Sequence, residues 1–259
     1  MRVGPRIGPR LGWTRGASAA DPMSGVTRDA TSNIYWPSSG AEWATAIAAL
    51  GFGGVPTYSY NCQDLAGNLA PAVGAVSLVA DNTPTYQNVE PGWTRKFVGG
   101  TASGAQFNGN LGNPATTSIM FLAYIALTAG VSTADVLGET DNNGPKFQLV
   151  ADNTKRVGAG GNIATGVTTT TGSVIPLIVQ YDRTNTETVL YTLDEKITAV
   201  YSATAIGTLL RMVTGRAGGA GNLARYGALA EFTGSEAEIT PPQVKTMLTT
   251  FGWAPTFAP

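Results

Sequence analysis

From Tyr58 onward, short apolar or Thr-rich runs alternate with Gly, Asn, Asp and Pro, the pattern of strands joined by turns. The runs predict strands near Thr57–Gln63, Val76–Ala80, Tyr86–Asn88, Lys96–Val98, Ala105–Phe107, Ile119–Leu127, Asp135–Glu139 and Phe147–Ala151. Further strands are predicted near Lys155–Ala159, Gly166–Thr170, Val174–Asp182, Thr188–Leu193, Lys196–Tyr201, Leu210–Thr214 and Tyr226–Phe232. Asp141-Asn142-Asn143-Gly144 and Asp182-Arg183-Thr184-Asn185 read as turns, since Asn and Gly tolerate positive φ. Asp194-Glu195 reads as the turn of a tight hairpin. Helical spacing occurs twice. Trp43, Ile47 and Leu50 place a short helix near Ala41–Leu50, with Gly51 past its end. Pro241-Pro242 opens a second helix that carries Val244, Met247, Leu248 and Phe251 on one face and stops at Gly252. So many short strands with so little helix predict an all-β antiparallel sandwich or barrel.

The first residues follow a different rule. Gly4-Pro5-Arg6 and Gly8-Pro9-Arg10 repeat a tripeptide whose alternating Gly and Pro suit neither a helix nor a central strand. Arg2, Arg6, Arg10 and Arg15 make this the basic stretch of the chain, and no apolar run gives it the look of a secretory signal. The expected organisation is an extended arm over 1–37, a short helix and linker over 38–55, a sandwich over 56–240 and a C-terminal helix and tail over 241–259.

Composition narrows the chemistry. The absence of histidine excludes a Ser-His-Asp triad, a His-ligated metal and imidazole acid–base catalysis. One cysteine excludes a zinc ribbon and an internal disulfide framework, and Cys62 on an apolar run reads as an inert thiol. A net charge of −1 argues against a dedicated nucleic-acid binder. The apolar run Ile119–Leu127 has strand length, short of the roughly 18 residues of a membrane helix. Charged residues are only 13% of the chain. A surface so poor in charge suits a protein covered in part by its neighbours.

The segment IPLIVQYDRTNTETVLYTLDEKITAVYS resembles the LamG-like, concanavalin A-like jelly roll, in which it would read roughly W-H-h-x-h-x-h-D-x-x-x-x-x-h-x-h-Y-h-D-G-x. Asp182 matches that family's strand-end Asp, Tyr191 its aromatic and Asp194 its hairpin Asp. The Trp-His pair is replaced around Ser173-Val174, and Glu195 stands where the family has Gly. The strand at Ile119–Tyr124 resembles the family's first long strand and RYGALAEF its last, so the resemblance spans Tyr58 to Phe232. It implies a jelly-roll sandwich and says little of function. Ile34-Tyr35-Trp36-Pro37, AEW, C-Q-D-x-x-G-N-L-A and G-W-T-R-K together resemble a layout in LamG-like proteins encoded by tailed phages and prophages.

Glycosidases on such folds set two carboxylates about the scissile bond. Glu139 and Asp141 supply two members of an E-x-D-x-E strand and lack the third, so no catalytic residue is assigned and the chain is read as a non-enzyme. Glu236 and Glu238 precede a helix, where acids favour the N-terminus. Asp81-Asn82 and Asp141-Asn142-Asn143 carry oxygen ligands without EF-hand spacing and read as turns. The Gly-rich runs 158–161 and 218–221 lack a following G-K-[ST]. No metal or cofactor is expected.

Two functional expectations remain. The first is a virion structural protein of a tailed phage, a capsid decoration or outer-shell component. Its arm residues Arg2, Arg6, Arg10, Trp13 and Arg15 would hold the major capsid protein or neighbouring copies, and the protein would be a homo-oligomer. The alternative is a lectin-like module for host-surface glycans, on a tail fibre or secreted, with Tyr86, Asn88 and Trp93 as the sugar-facing group. Neither involves nucleic acid or a membrane.

Overall fold

The computed structural model describes residues 23–24, 34–35, 40–49, 58–60, 71, 73–75, 77–81, 85–88, 96–99, 106–112, 118–127, 134–138, 146–149, 154–159, 162–168, 174–182, 185–200, 210–214, 216–217, 224–234 and 240–258. Side-chain surroundings are described chiefly within 155–200 and 240–258. In chain order the elements are α1 (Gly40–Ala49), β1 (Tyr58–Tyr60), β2 (Val79–Asp81), β3 (Thr85–Asn88), β4 (Lys96–Gly99), β5 (Gln106–Gly112), β6 (Ser118–Leu127) and β7 (Ala134–Gly138). Then come β8 (Lys146–Leu149), β9 (Thr154–Ala159), β10 (Asn162–Thr168), β11 (Val174–Asp182), β12 (Glu187–Tyr191) and β13 (Lys196–Val200). The last are β14 (Leu210–Thr214), β15 (Arg216–Ala217), β16 (Ala224–Gly234) and α2 (Pro241–Thr250).

The described strands form three sheets. An eight-stranded sheet runs β13-β12-β11-β6-β16-β4-β3, with β1 also on β16; a five-stranded sheet runs β10-β9-β8-β7-β15; a three-stranded sheet runs β14-β5-β2. Every pairing among the described strands is antiparallel. The arrangement is consistent with an all-β sandwich. No helix among the described residues is long and apolar enough to cross a membrane.

Strand β6 is the axis of the large sheet, with β11 on one side and β16 on the other along its length. Its sequence, SIMFLAYIAL, is almost wholly apolar, as suits a strand with neighbours on both sides in the middle of its sheet. Strand β11 is buried from Ile175 through Gln180, as a strand covered on both faces is. Pro176 fits within β11 because β12 pairs only with Ile178 to Asp182, so among the described strands that proline neighbours β6 alone. Toward the margin the pattern becomes alternating: in β13, Ile197 and Ala199 are buried while Lys196, Thr198 and Val200 face water.

The C-terminal helix is built as its sequence predicts. Pro241 and Pro242 occupy its first turn, where no N–H is needed. The N–H and hydroxyl of Thr240 both donate to Gln243 Oε1 at 2.9 Å. Val244, Met247, Leu248 and Phe251 are buried, and Gly252 ends the helix with φ 96°. The chain then folds back: Tyr35 N–H donates to Phe251 O at 2.9 Å, and the Phe257 ring meets Tyr191 with centroids 5.7 Å apart.

Predicted and observed strands differ in instructive places. The sequence pattern begins β10 at Gly166, whereas the strand starts at Asn162, because Ala159 pairs with Asn162 and the β9–β10 ladder continues. The pattern ends β5 at Phe107, whereas pairing with β14 carries Asn108, Gly109, Asn110 and Gly112 as strand. Those Asn and Gly residues resemble a turn locally, and ladder hydrogen bonds override that preference. Strand β15 is too short to leave a periodic signal. The Asp141–Gly144 turn, Cys62, Leu50 and Glu236–Glu238 lie outside the described residues, and nothing is described of the Trp43 and Ile47 side chains.

Candidate functional site

Chemistry among the described side chains concentrates at one hairpin. Tyr191 pairs with Lys196, so Thr192 to Glu195 form the turn between β12 and β13. Thr192 N–H donates to Glu195 O at 3.0 Å, and the Thr192 hydroxyl donates to Asp194 Oδ1 at 2.7 Å. Local side-chain bonding of this kind is why Thr and Asp favour turns.

The turn is gripped from three sides. From β9, Lys155 extends its amine to Asp194 Oδ1 at 3.0 Å, Glu195 Oε1 at 2.6 Å and Thr192 Oγ1 at 3.4 Å. From β10, Val167 N–H donates to both Glu195 carboxylate oxygens, at 3.1 and 3.0 Å. From the C-terminal tail, the N–H groups of Thr256 and Phe257 and the Thr256 hydroxyl all donate to Leu193 O, at 2.6, 3.3 and 3.2 Å. The hairpin belongs to the eight-stranded sheet and β9–β10 to the five-stranded one, so the cluster fastens one sheet to the other.

Burial sets the energetics. The Lys155 side chain is only 1% exposed, against 16% for Glu195 and 53% for Asp194. An amine so enclosed has no water to solvate it, and the carboxylates take that place. Partial burial pushes the Asp194 carboxyl up, but hydrogen bonds from Thr192 and Lys155 and the charge of Lys155 outweigh this and hold it below its ordinary value of 3.8. Gly166 completes the fit. A Cβ there would run into Ile197 Cδ1 and both Glu195 carboxylate oxygens, so a larger residue would force those side-chain ends to shift.

A second carboxylate has a structural task. Asp182, at the end of β11, accepts from Asn185 N–H at 3.0 Å and from Asn185 Nδ2 at 2.7 Å. This closes the β11–β12 turn, where Thr186 takes a positive φ of 54°. No group of three or more His, Cys, Asp or Glu able to hold a metal occurs among the described residues.

The residues singled out in the sequence fare unevenly. Asp182, Tyr191 and Asp194 fall where the resemblance places them, at a strand end, in a strand and in a hairpin turn. Tyr86 and Asn88 lie on β3, at the margin of the eight-stranded sheet. Trp93, Glu139, Asp141 and the arm residues Arg2, Arg6, Arg10, Trp13 and Arg15 lie outside the described residues. Lys155, Thr192 and Thr256 carry no sequence signal of their own. The one available clue was Glu195 beside Asp194, two acids in a turn that need a cation, and the pattern along the chain does not say which.

No protein-family model matches the chain, and no curated protein matches it. Solved structures do resemble it. The Trypanosoma rangeli sialidase, solved with 2,3-difluorosialic acid as a covalent intermediate, aligns with TM-score 0.55 and 10% identity over 76% of this chain and 34% of its own. A botulinum neurotoxin type C structure, described with cell entry dependent on two ganglioside molecules, aligns with TM-score 0.51 and 9% identity over 76% of this chain and 51% of its own. The binding domain of botulinum neurotoxin DC, solved with rat synaptotagmin II, gives TM-score 0.52 and 8% identity over 76% and 52%. The chain spans a third to a half of these proteins, and at such identities the likeness is one of fold.

Two outcomes are expected. Lys155→Met leaves Glu195 half-enclosed without its cation and lowers unfolding stability in urea by about 3 kcal/mol. For acid, the sign follows from the depressed Asp194 carboxyl: its contribution is present above the unfolded-state value and is lost as pH falls through the folded one. Between about pH 5 and about pH 2 the urea midpoint of Asp194→Asn therefore falls less than that of the wild type.

Proposed function

We propose that this chain is a non-catalytic, carbohydrate-binding module on a LamG-like, concanavalin A-like jelly-roll sandwich. The observation that carries the reading is the fold likeness to a sialidase and to neurotoxin structures, one of them described with gangliosides. The state of three described carboxylates fits a binding role. Asp194 and Glu195 are committed to Lys155, Thr192 and Val167 N–H, and Asp182 to Asn185, so none of the three stands free as an acid or base. Carbohydrate recognition on such a sandwich needs an aromatic face beside amide or hydroxyl groups. Tyr86, Asn88 and Trp93 are the proposed set. A glycan array, followed by calorimetric titration with and without calcium, should show a bound glycan whose affinity falls about tenfold or more in Trp93→Ala, a loss of about 1.4 kcal/mol. Silence across the array contradicts the reading.

A second reading rests on the Gly-Pro-Arg arm and the 13% charge content. Here the module is mounted on the virion of a tailed phage as a decoration or outer-shell component, with Arg2, Arg6, Arg10, Trp13 and Arg15 reaching the major capsid protein or a neighbouring copy. Deleting residues 1–20 should then leave the fold unchanged by circular dichroism and abolish co-sedimentation with particles. Normal incorporation of the truncated chain rules this anchoring out.

A further inference from the structure

The three-stranded sheet β14-β5-β2 divides its residues between two faces, and exposure along β2 says which face is outward. Ser77 and Val79 face water, Val79 at 52%, while Leu78 between them is fully buried. Val79 pairs in register with Asn108, and Asn108 with Val213, so these three share the outward face. Two residues along β5 in either direction, the same face carries Gln106 beside Asp81 and Asn110 beside Arg211. The opposite face carries Leu78, Ala80, Phe107 and Met212, the apolar set expected of an inward side.

Amides at alternate positions of a central strand run against local preference. Asn is depleted in strands, because its side chain competes for nearby backbone groups. Yet Gln106, Asn108 and Asn110 stand on one face of β5, about 7 Å apart and spanning ~14 Å. Each amide offers both N–H donors and a carbonyl acceptor. Arg211 adds a planar fork of donors at one end of the row, and Asp81 adds acceptors at the other. The two stand at diagonal corners of the sheet, ~17 Å apart, beyond ion-pair reach of each other. Val79 and Val213 flank the middle amide and give the face an aliphatic ground in place of an aromatic one.

We infer that this outward face is a second glycan-binding surface, which takes an uncharged oligosaccharide along β5. It rests on the carbohydrate-binding reading above, and it lies on a different sheet from Tyr86 and Asn88. Neighbouring sugar hydroxyls donate and accept at once, so a row of amides matches them where carboxylates or amines alone would not. The length of the row suits an oligosaccharide rather than a single sugar. One arginine balanced by one aspartate makes no basic stripe for a nucleic-acid backbone. Two valines among polar residues make no aromatic, apolar centre for a protein interface.

An array of uncharged and sialylated oligosaccharides, read with the full chain and followed by titration of the strongest uncharged binder, tests this. Asn108→Ala and Arg211→Met, each checked for native circular dichroism, should both raise the dissociation constant about tenfold or more. Wild-type affinity in either folded variant overturns the surface and leaves the carbohydrate-binding reading standing, as does binding confined to sialylated glycans. Silence of the wild-type chain across the array contradicts that reading itself, and the surface falls with it. Should the variants fail to fold, amide chemical shifts of the wild-type chain titrated with the same oligosaccharide decide. Shifts on β2, β5 and β14 are the expected result, and shifts confined to other strands overturn the surface.

Discussion

A lysine amine enclosed by protein must be met by fixed negative charge, and that requirement organises the best-described part of this molecule. Lys155 rises from β9 of one sheet, while the groups that answer it, Asp194 and Glu195, lie in the β12–β13 turn of the other. Because desolvation of the ammonium is costly, the turn cannot drift from β9 without leaving a buried charge unpaired. The position of the hairpin then fixes its neighbours. Leu193 O becomes the anchor for Thr256 and Phe257, Tyr191 becomes the surface on which Phe257 rests, and Lys196 and Lys245 sit over the Tyr191 and Phe257 rings at 5.7 and 5.1 Å.

The same arrangement separates structure from the proposed recognition. Asp182, Asp194 and Glu195 are consumed in holding turns, which directs the search for the proposed glycan site to the strands and loops away from the clasp. Sandwich folds support this division well: hydrogen-bonded ladders supply rigidity, and margins and loops are free to vary with the ligand.

Much of the fold was legible because β-sheet proteins write their strands in alternation and their turns in Gly, Asn and Asp. The bounds of β11 and β14 coincide with the runs read from sequence, and the buried face of α2 is the one its spacing predicts. The Asp182 turn and the Asp194 hairpin were also legible, since a short acid next to a turn has a local reason to be there. The clasp was not. Lys155 and Glu195 are far apart in sequence, and no local pattern distinguishes Lys155, buried on β9, from its neighbour Arg156. In the sequence Gly166 merely opens a predicted strand, and its task is visible only once Glu195 and Ile197 are seen against it. Strand bounds were least legible where pairing partners, as between β5 and β14, impose extension on Asn- and Gly-rich sequence.

The claim on which the account turns is that Lys155 and Glu195 act as one unit across the two sheets. A double-mutant cycle measures this directly, comparing Lys155→Met, Glu195→Gln and the pair by urea unfolding. The account predicts a coupling of about 2 kcal/mol, the double variant losing much less stability than the sum of the singles. Additive losses would contradict it.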